Sequence, residues 1–236
     1  MIEAVSLTKI YNQQKPNQVL AVTDANLSAP NGAITVLVGP SGCGKTTLMS
    51  MIGLLLTPTK GKVIIDEEVV TSYSDNWKAI FRRKNMGFVF QHINLFPHLK
   101  ALENVMIPLL CHDMDPAKFK DQALSLLERL GLAERALFNV EQLSGGQQQR
   151  VAVARALITE PKIIIADEPL TFIDQESAKA IIDFFNELRS EGKTILISTH
   201  SYNLAKLADR IYSMKDGAIV GETEKEGARL FNIYIK

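Results

Sequence analysis

The chain has 236 residues, with 26 basic and 26 acidic side chains and no formal net charge. That length holds one α/β domain with a sizeable core and a smaller lobe, and the balanced charge lacks the electrostatic footprint of a nucleic-acid binder, so no nucleic-acid partner is expected. The two cysteines, Cys43 and Cys111, stand far apart and suggest no disulfide framework, which fits a reducing compartment.

The N-terminus, MIEAVSLTKIY, lacks a basic segment followed by an apolar run, so no secretion signal is expected. No apolar run approaches the roughly 20 residues that span a bilayer. The expectation is a chain soluble by itself, with any membrane role reached through a partner. Residues 2–11 and 19–28 read as strands around a polar turn, since both carry β-type apolar alternation. Residues 33–38 (AITVLV) read as a buried strand, and residues 48–56 continue as an apolar helix. A strand pair is expected over 62–70, a short helix over 77–83 and another strand over 86–90, ending at Gln91.

From 98 to 158 the pattern turns helical. Residues 101–110 predict one apolar helix with Pro108 near its end. Asp115-Pro116 predicts a second helix start and Gly131 its stop. Between them Ala123, Leu126, Leu127 and Leu130 share a face. The stretch reads as a helical insert of subdomain size within one domain. A further helix is expected from the Ser144 turn to about 159, then a buried strand running into Asp167 and Glu168. A long helix over 175–191 closes at Gly192, and a buried strand over 194–199 ends at His200. Residues 211–220 read as a hairpin with an Asp216-Gly217 turn. The last dozen residues are mixed and polar and too short for an added regulatory domain. Strands alternating with helices predict an α/β fold with a mainly parallel sheet.

One stretch carries the strongest chemistry. Gly39, Pro40, Ser41, Gly42, Cys43, Gly44, Lys45, Thr46 and Thr47 fit G-x-x-x-x-G-K-[ST], the phosphate-binding loop. Its glycines let the backbone curl so that successive N–H groups point at an anion. A helix starting near Lys45 turns its positive end toward the same anion. Lys45 adds a full charge for the β- and γ-phosphates, and the Thr46 hydroxyl can ligate Mg²⁺. The bland alternative is a glycine turn, which matches by chance in roughly one such chain in a hundred. The flanking strand and helix lower that further. Cys43 occupies a variable position and reads first as a small filler; the sharper reading is that alkylating it blocks nucleotide binding.

Three buried strands end in chemistry: one at the phosphate loop, one at Asp167-Glu168, one at His200. In open parallel sheets ligands sit at the carboxyl ends of strands, which argues that these groups meet around one nucleotide. Asp167 is placed to hold the Mg²⁺ water shell. Glu168 is a candidate to orient or deprotonate the attacking water. His200, alone more often a core or surface histidine, is expected here to bond the γ-phosphate. Ser144-Gly145-Gly146-Gln147 is a second glycine turn at a helix start and chemically another anion site. Two such sites need two phosphate groups, or two chains sharing one nucleotide, and the spacing leaves both open.

Leu143-Ser144-Gly145-Gly146-Gln147 resembles the signature motif of the ATP-binding-cassette family, and it sits between a matching phosphate loop and a matching Asp-Glu strand. The resemblance covers essentially the whole chain. It implies a P-loop ATPase core with a mainly parallel sheet, an N-terminal antiparallel β portion and a helical subdomain over about 98–158. It implies ATP and Mg²⁺ as cofactors and a head-to-tail pair of cassettes, each ATP lying between one phosphate loop and the other signature motif. It further implies that Tyr11 stacks on the adenine. Gln91 would reach Mg²⁺ and the water while touching the transport partner, and Asp174 would belong to a loop crossing the dimer interface.

The segment 88–110 is similar to the lipoprotein-release, macrolide-export and cell-division cassettes. That implies an ATPase subunit held on the inner face of the cell membrane by separate permease chains. Ile93, Leu95, Phe96 and Leu99 read equally as permease contacts or core. Two rival classes are an ATPase that drives a membrane protein without transport, and a soluble cassette for DNA repair or translation. The soluble class tends to carry long insertions or two fused cassettes, and neither is present here. One departure stands out. After Pro169 the family usually has Thr or Ser, two small or polar residues, then Leu-Asp; here Leu170-Thr171-Phe172-Ile173-Asp174 places bulky groups where the dimer seam is normally tighter. The catalytic set is complete, so hydrolysis is expected, with altered communication between the two sites.

Overall fold

The computed structural model describes residues 1–111 and 115–224. β1 (Ile2–Tyr11) and β2 (Val19–Ala29) pair antiparallel across the polar turn. β3 (Ile34–Val38) runs into the glycine loop and α1 (Lys45–Ile52). β4 (Lys60–Ile65) returns beside β1, and β5 (Glu68–Val69) precedes α2 (Asp75–Asn85) and β6 (Met86–Val89). α3 (Ala101–Met106), α4 (Lys120–Arg129) and α5 (Gly145–Leu157) pack on one another. β7 (Ile163–Asp167), α6 (Gln175–Ser190), β8 (Thr194–Thr199) and α7 (Tyr202–Ala205) follow. β9 (Arg210–Lys215) and β10 (Ala218–Glu224) close the described chain as a hairpin.

These strands form two sheets. The first is antiparallel, in the order β2-β1-β4-β5, and the second has the order β10-β9-β3-β8-β7-β6. In the second sheet every pairing except β10–β9 is parallel. All residues of β3, β7 and β8 are buried, as parallel strands covered on both faces require. Their side chains alternate between two cores. Val36, Ile164 and Ile197 face the helical side with residues of α3 to α6. Leu37, Ile165 and Leu196 face α1 and the antiparallel sheet. With Leu48, Met49, Met51 and Ile52 buried in that second core, α1 is held between the sheets, and the loop before it is held too.

Several boundaries differ from those read in the sequence. Residues 101–110 are not one α-helix: α3 stops at Met106 and Ile107–Cys111 is a 3₁₀ turn. Pro108 has no N–H to donate and its ring opposes an α-helical turn. The strand pair over 62–70 shrinks on its second side to two residues, because Val70–Ser72 coils into a 3₁₀ turn with Val70 in the second core. The helix behind the loop ends at Ile52 rather than 56, with Leu54 in the left-handed region at φ 58°. The short helix read over 77–83 is longer at both ends, since Ser74 caps it by accepting from the Trp77 N–H at 3.4 Å. Asp115 does cap a turn, accepting from the Ala117 N–H at 3.0 Å, but Pro116–Phe119 is 3₁₀ before α4 begins. The last dozen residues lie outside the described part. No described helix is long and apolar enough to cross a membrane.

Candidate active site

The site is set by strand order. β3, β8 and β7 are neighbours, with Val38 level with Thr199 and Asp167 level with Ser198. The phosphate loop, His200 and Glu168 therefore leave the sheet side by side at its carboxyl edge.

The loop from Gly39 to Thr47 curls over the start of α1. Gly44 sits at the helix N-cap with φ 105°, and a Cβ there would lie 2.4 Å from the Ala21 carbonyl oxygen. Only glycine satisfies both constraints. Pro40, Ser41, Gly42 and Thr46 are exposed on the loop's open side, and Gly39 is buried. Lys45 is only 7% exposed; its Nζ donates to the carbonyls of Gly39 at 2.8 Å and Pro40 at 3.1 Å. The Cys43 side chain packs in the second core, and burial pushes its thiol pKa up against a smaller downward pull from Lys45. Any role of Cys43 toward a nucleotide thus falls to its backbone. Tyr11 lies next to the loop, its hydroxyl 3.5 Å from Thr47 Oγ1, with Lys9 Nζ 5.4 Å from its ring centre.

Glu168 is the hub. Its Oε1 is 3.7 Å from Lys45 Nζ and its Oε2 is 2.9 Å from His200 Nδ1. Its backbone takes φ 48°, a left-handed conformation unusual for a residue with a Cβ. That bend is held by Ser198: the Glu168 N–H donates to the Ser198 carbonyl at 3.0 Å and to its Oγ at 3.2 Å. The same hydroxyl donates to Asp167 Oδ1. Ser198 was not among the residues singled out in the sequence, because it lies inside an apolar strand and matches no motif. The available signal was a buried hydroxyl that must find a partner. Among the described residues no hydrogen bond is made to the other oxygen of Asp167. With Thr46 it offers two hard oxygen donors, which suits Mg²⁺, an ion that completes its shell with phosphate oxygens and water. Gln91 stands two residues beyond the end of β6, whose last residue, Val89, pairs with Ala166 on β7. Among the described residues no hydrogen bond joins it to either acid.

The second glycine turn belongs to a separate group of residues. Ser144 caps α5 by accepting from the Gln147 N–H at 3.3 Å, and Gln147 Oε1 accepts from the Ser144 N–H at 3.0 Å. The first N–H groups of a helix have no intrahelical partner, so those of Gly145 and Gly146 are free to meet an anion. Gly146 is pressed against α6: a Cβ on it would lie 2.2 Å from Ser177 Oγ and 2.4 Å from Asp174 Oδ2. Asp174 in turn caps α6, accepting from the Ser177 N–H and Oγ, both at 2.8 Å. Those bonds, the backbone one first, hold its carboxyl below the usual range. The structure thus gathers the phosphate loop, Asp167, Glu168 and His200 in one group, and Ser144 to Gln147 with Asp174 in another.

A lysine-bearing phosphate loop and an Asp-Glu pair at the carboxyl edge of a parallel sheet define a P-loop nucleoside triphosphatase. The sequence profile of the family described as ABC transporter matches residues 22–171. The chain belongs to that family, as one of its ATP-hydrolysing cassettes. It is 44% identical over 220 residues to the uncharacterized ABC transporter ATP-binding protein MJ1508 of Methanocaldococcus jannaschii, covering 93% of this chain and 98% of the relative. It is 39% identical over 230 residues to the macrolide export ATP-binding/permease protein MacB of Chlorobaculum tepidum, covering 98% of this chain but 35% of MacB. Among solved structures, the post-hydrolysis dimer of the ATP-binding cassette MJ0796 bound to ADP and Pi superposes with a TM-score of 0.89 at 37% identity, over 95% of this chain and 99% of that one.

Proposed function

We propose that this chain is a single nucleotide-binding unit, with its helical subdomain over 98–158, that binds MgATP and drives a separate transmembrane permease. The observation that carries the reading is the bridge from Lys45 through Glu168 to His200 at adjacent strand ends. In this reading the loop N–H groups from Gly39 to Thr47 wrap the phosphates and Lys45 meets the charge developing on the γ-phosphate. Thr46 and Asp167, with Gln91, hold Mg²⁺, which would supply further charge stabilisation when bound. Glu168 orients or deprotonates the attacking water, while His200, steadied through Nδ1, turns to the γ-phosphate. Tyr11 receives the adenine. Ser144, Gly145, Gly146 and Gln147 serve the nucleotide of a paired cassette, and Asp174 lies at that seam.

Beside Gln91 a groove of about 640 Å³ is lined by Leu55, Ile80, Phe88, Phe90, Ile107 and Arg155. It is mostly apolar and open, suited to a helix of the permease. Ile93 and Leu95 are half-buried, whereas Phe96 and Leu99 are exposed. The likeness to MacB supports export of a macrolide-like cargo, and the resemblance of segment 88–110 to lipoprotein-release cassettes supports lipid extraction, in either case with the cargo recognised by the permease. Such a complex holds this chain on the cytoplasmic face of the membrane. Two experiments test the reading. Glu168→Gln is expected to keep ATP binding while turnover falls by roughly a hundredfold or more; wild-type turnover would refute the assignment. Gentle solubilisation of tagged complexes under ATP is expected to bring down a polytopic membrane protein. Recovery of soluble partners alone would refute the coupling.

A further inference from the structure

Phe172 is 96% exposed, the most exposed large apolar side chain among the described residues. Its backbone sits at φ 61°, a region a bulky residue enters at a cost. The loop around it is nevertheless tied down. The Thr171 N–H donates to the Glu168 carbonyl at 3.2 Å, and Asp174 is fixed by Ser177. Leu170 and Ile173 pack against the helical core. From Leu170 to Ile173 only Phe172 is turned out, on a short anchored loop.

Its position says what covers it. The loop leads from Glu168, beside Lys45 and His200, to Asp174, against Gly146. The Phe172 carbonyl oxygen would be 3.7 Å from a Cβ on Gly145, so the residue stands at the rim of the signature turn. Whatever brings a nucleotide phosphate to the Gly145 and Gly146 N–H groups also lands on Phe172. On the paired-cassette reading above, on which this inference rests, that is the phosphate-loop face of a second copy of this chain. We infer that Phe172 is an aromatic anchor for that pairing, burying its ring against the second copy when ATP closes the two. A phenylalanine side chain has only two torsions to fix, so it loses little conformational freedom on docking, which is one reason aromatic residues are enriched among those that carry interface energy. It also selects the partner. A cassette face shaped for a small residue at this place would meet the ring as a clash.

The test separates pairing from turnover by working in Glu168→Gln. That variant and Glu168→Gln/Phe172→Ala are compared by sedimentation across protein concentrations in saturating MgATP. Binding of a fluorescent ATP analogue is titrated on both at dilutions where the chain is single. The single variant is expected to pair. Because each pair buries two such rings, the double variant should need roughly a hundredfold more protein or more to reach half-pairing, with nucleotide binding unchanged. Phe172→Leu in the same background should recover most of the difference. Pairing of the Phe172→Ala double variant equal to that of the single variant would overturn the anchor. Tighter pairing without it would also overturn the anchor and would mean that the ring keeps two copies apart. If Glu168→Gln itself stayed single, the paired reading would fall first and the anchor with it.

Discussion

Ser198 uses one hydroxyl twice, donating to Asp167 and accepting from the Glu168 N–H. Ser198→Ala would leave both without that partner, at about 1–3 kcal/mol. That cost falls on stability; because the same hydroxyl also holds the Glu168 backbone beside Asp167, kcat is separately expected to fall roughly tenfold or more, with ATP affinity near wild type, measured by steady-state turnover and a binding titration. An unchanged kcat would remove the serine from the mechanism. Cys43 offers a second check. Because burial raises its pKa and the thiol lies in the core, its thiolate is scarce at neutral pH. Alkylation followed by peptide mass spectrometry should label exposed Cys111 first, and Cys43 slowly, faster as pH rises or the chain unfolds. Lys45, Asp167, Glu168 and His200 were legible in the sequence because each ends a strand or sits in a fixed spacing. Ser198 was not, since only the register of β7 on β8 sets it opposite Asp167. The contacts of Glu168 with both Lys45 and His200 were hidden for the same reason: they follow from the order β3-β8-β7, which no local pattern encodes.

At the scale of elements, the junction of α5 and α6 governs the signature turn. Gly146→Ala would drive a methyl into Ser177 and Asp174, costing about 1–3 kcal/mol as overpacking does. For a chain of this size Tm should fall by about 2–4 °C per kcal/mol, and a melt at or above the wild-type Tm would contradict the contact. The Asp174 cap is also sensitive to pH. Its folded pKa is depressed by the Ser177 N–H and hydroxyl, so its contribution is present above the unfolded carboxylate pKa. It is lost as pH falls through the folded value. Thermal melts of Asp174→Asn should therefore show a shallower acid loss than wild type. Helix ends were partly legible. Asp115 and Ser144 announced caps that exist, because a short polar side chain before an apolar run has few other uses. The end of α3 was missed by crediting apolar periodicity over the constraint of Pro108, and β5 by counting apolar residues that coil instead of pairing.

At the scale of the whole molecule, two cores lie on opposite faces of one mainly parallel sheet, and on the proposed reading the phosphate-loop group and the signature group are separate half-sites. The two faces were readable from continuous apolar strands, whereas the separation of the half-sites needed the packing of Gly145 and Gly146 on Phe172, Asp174 and Ser177. One chain carries two anion-type glycine turns, at Gly39 to Thr47 and at Ser144 to Gln147, and the central claim of the proposed function is that ATP joins the first of one chain to the second of another. The measurement that tests it most directly is the mass in solution of Glu168→Gln, by sedimentation equilibrium, with MgATP, with MgADP and without nucleotide. The account predicts a twofold mass with MgATP and a single chain in the other two conditions. A single chain in all three, or a pair indifferent to the γ-phosphate, would contradict it.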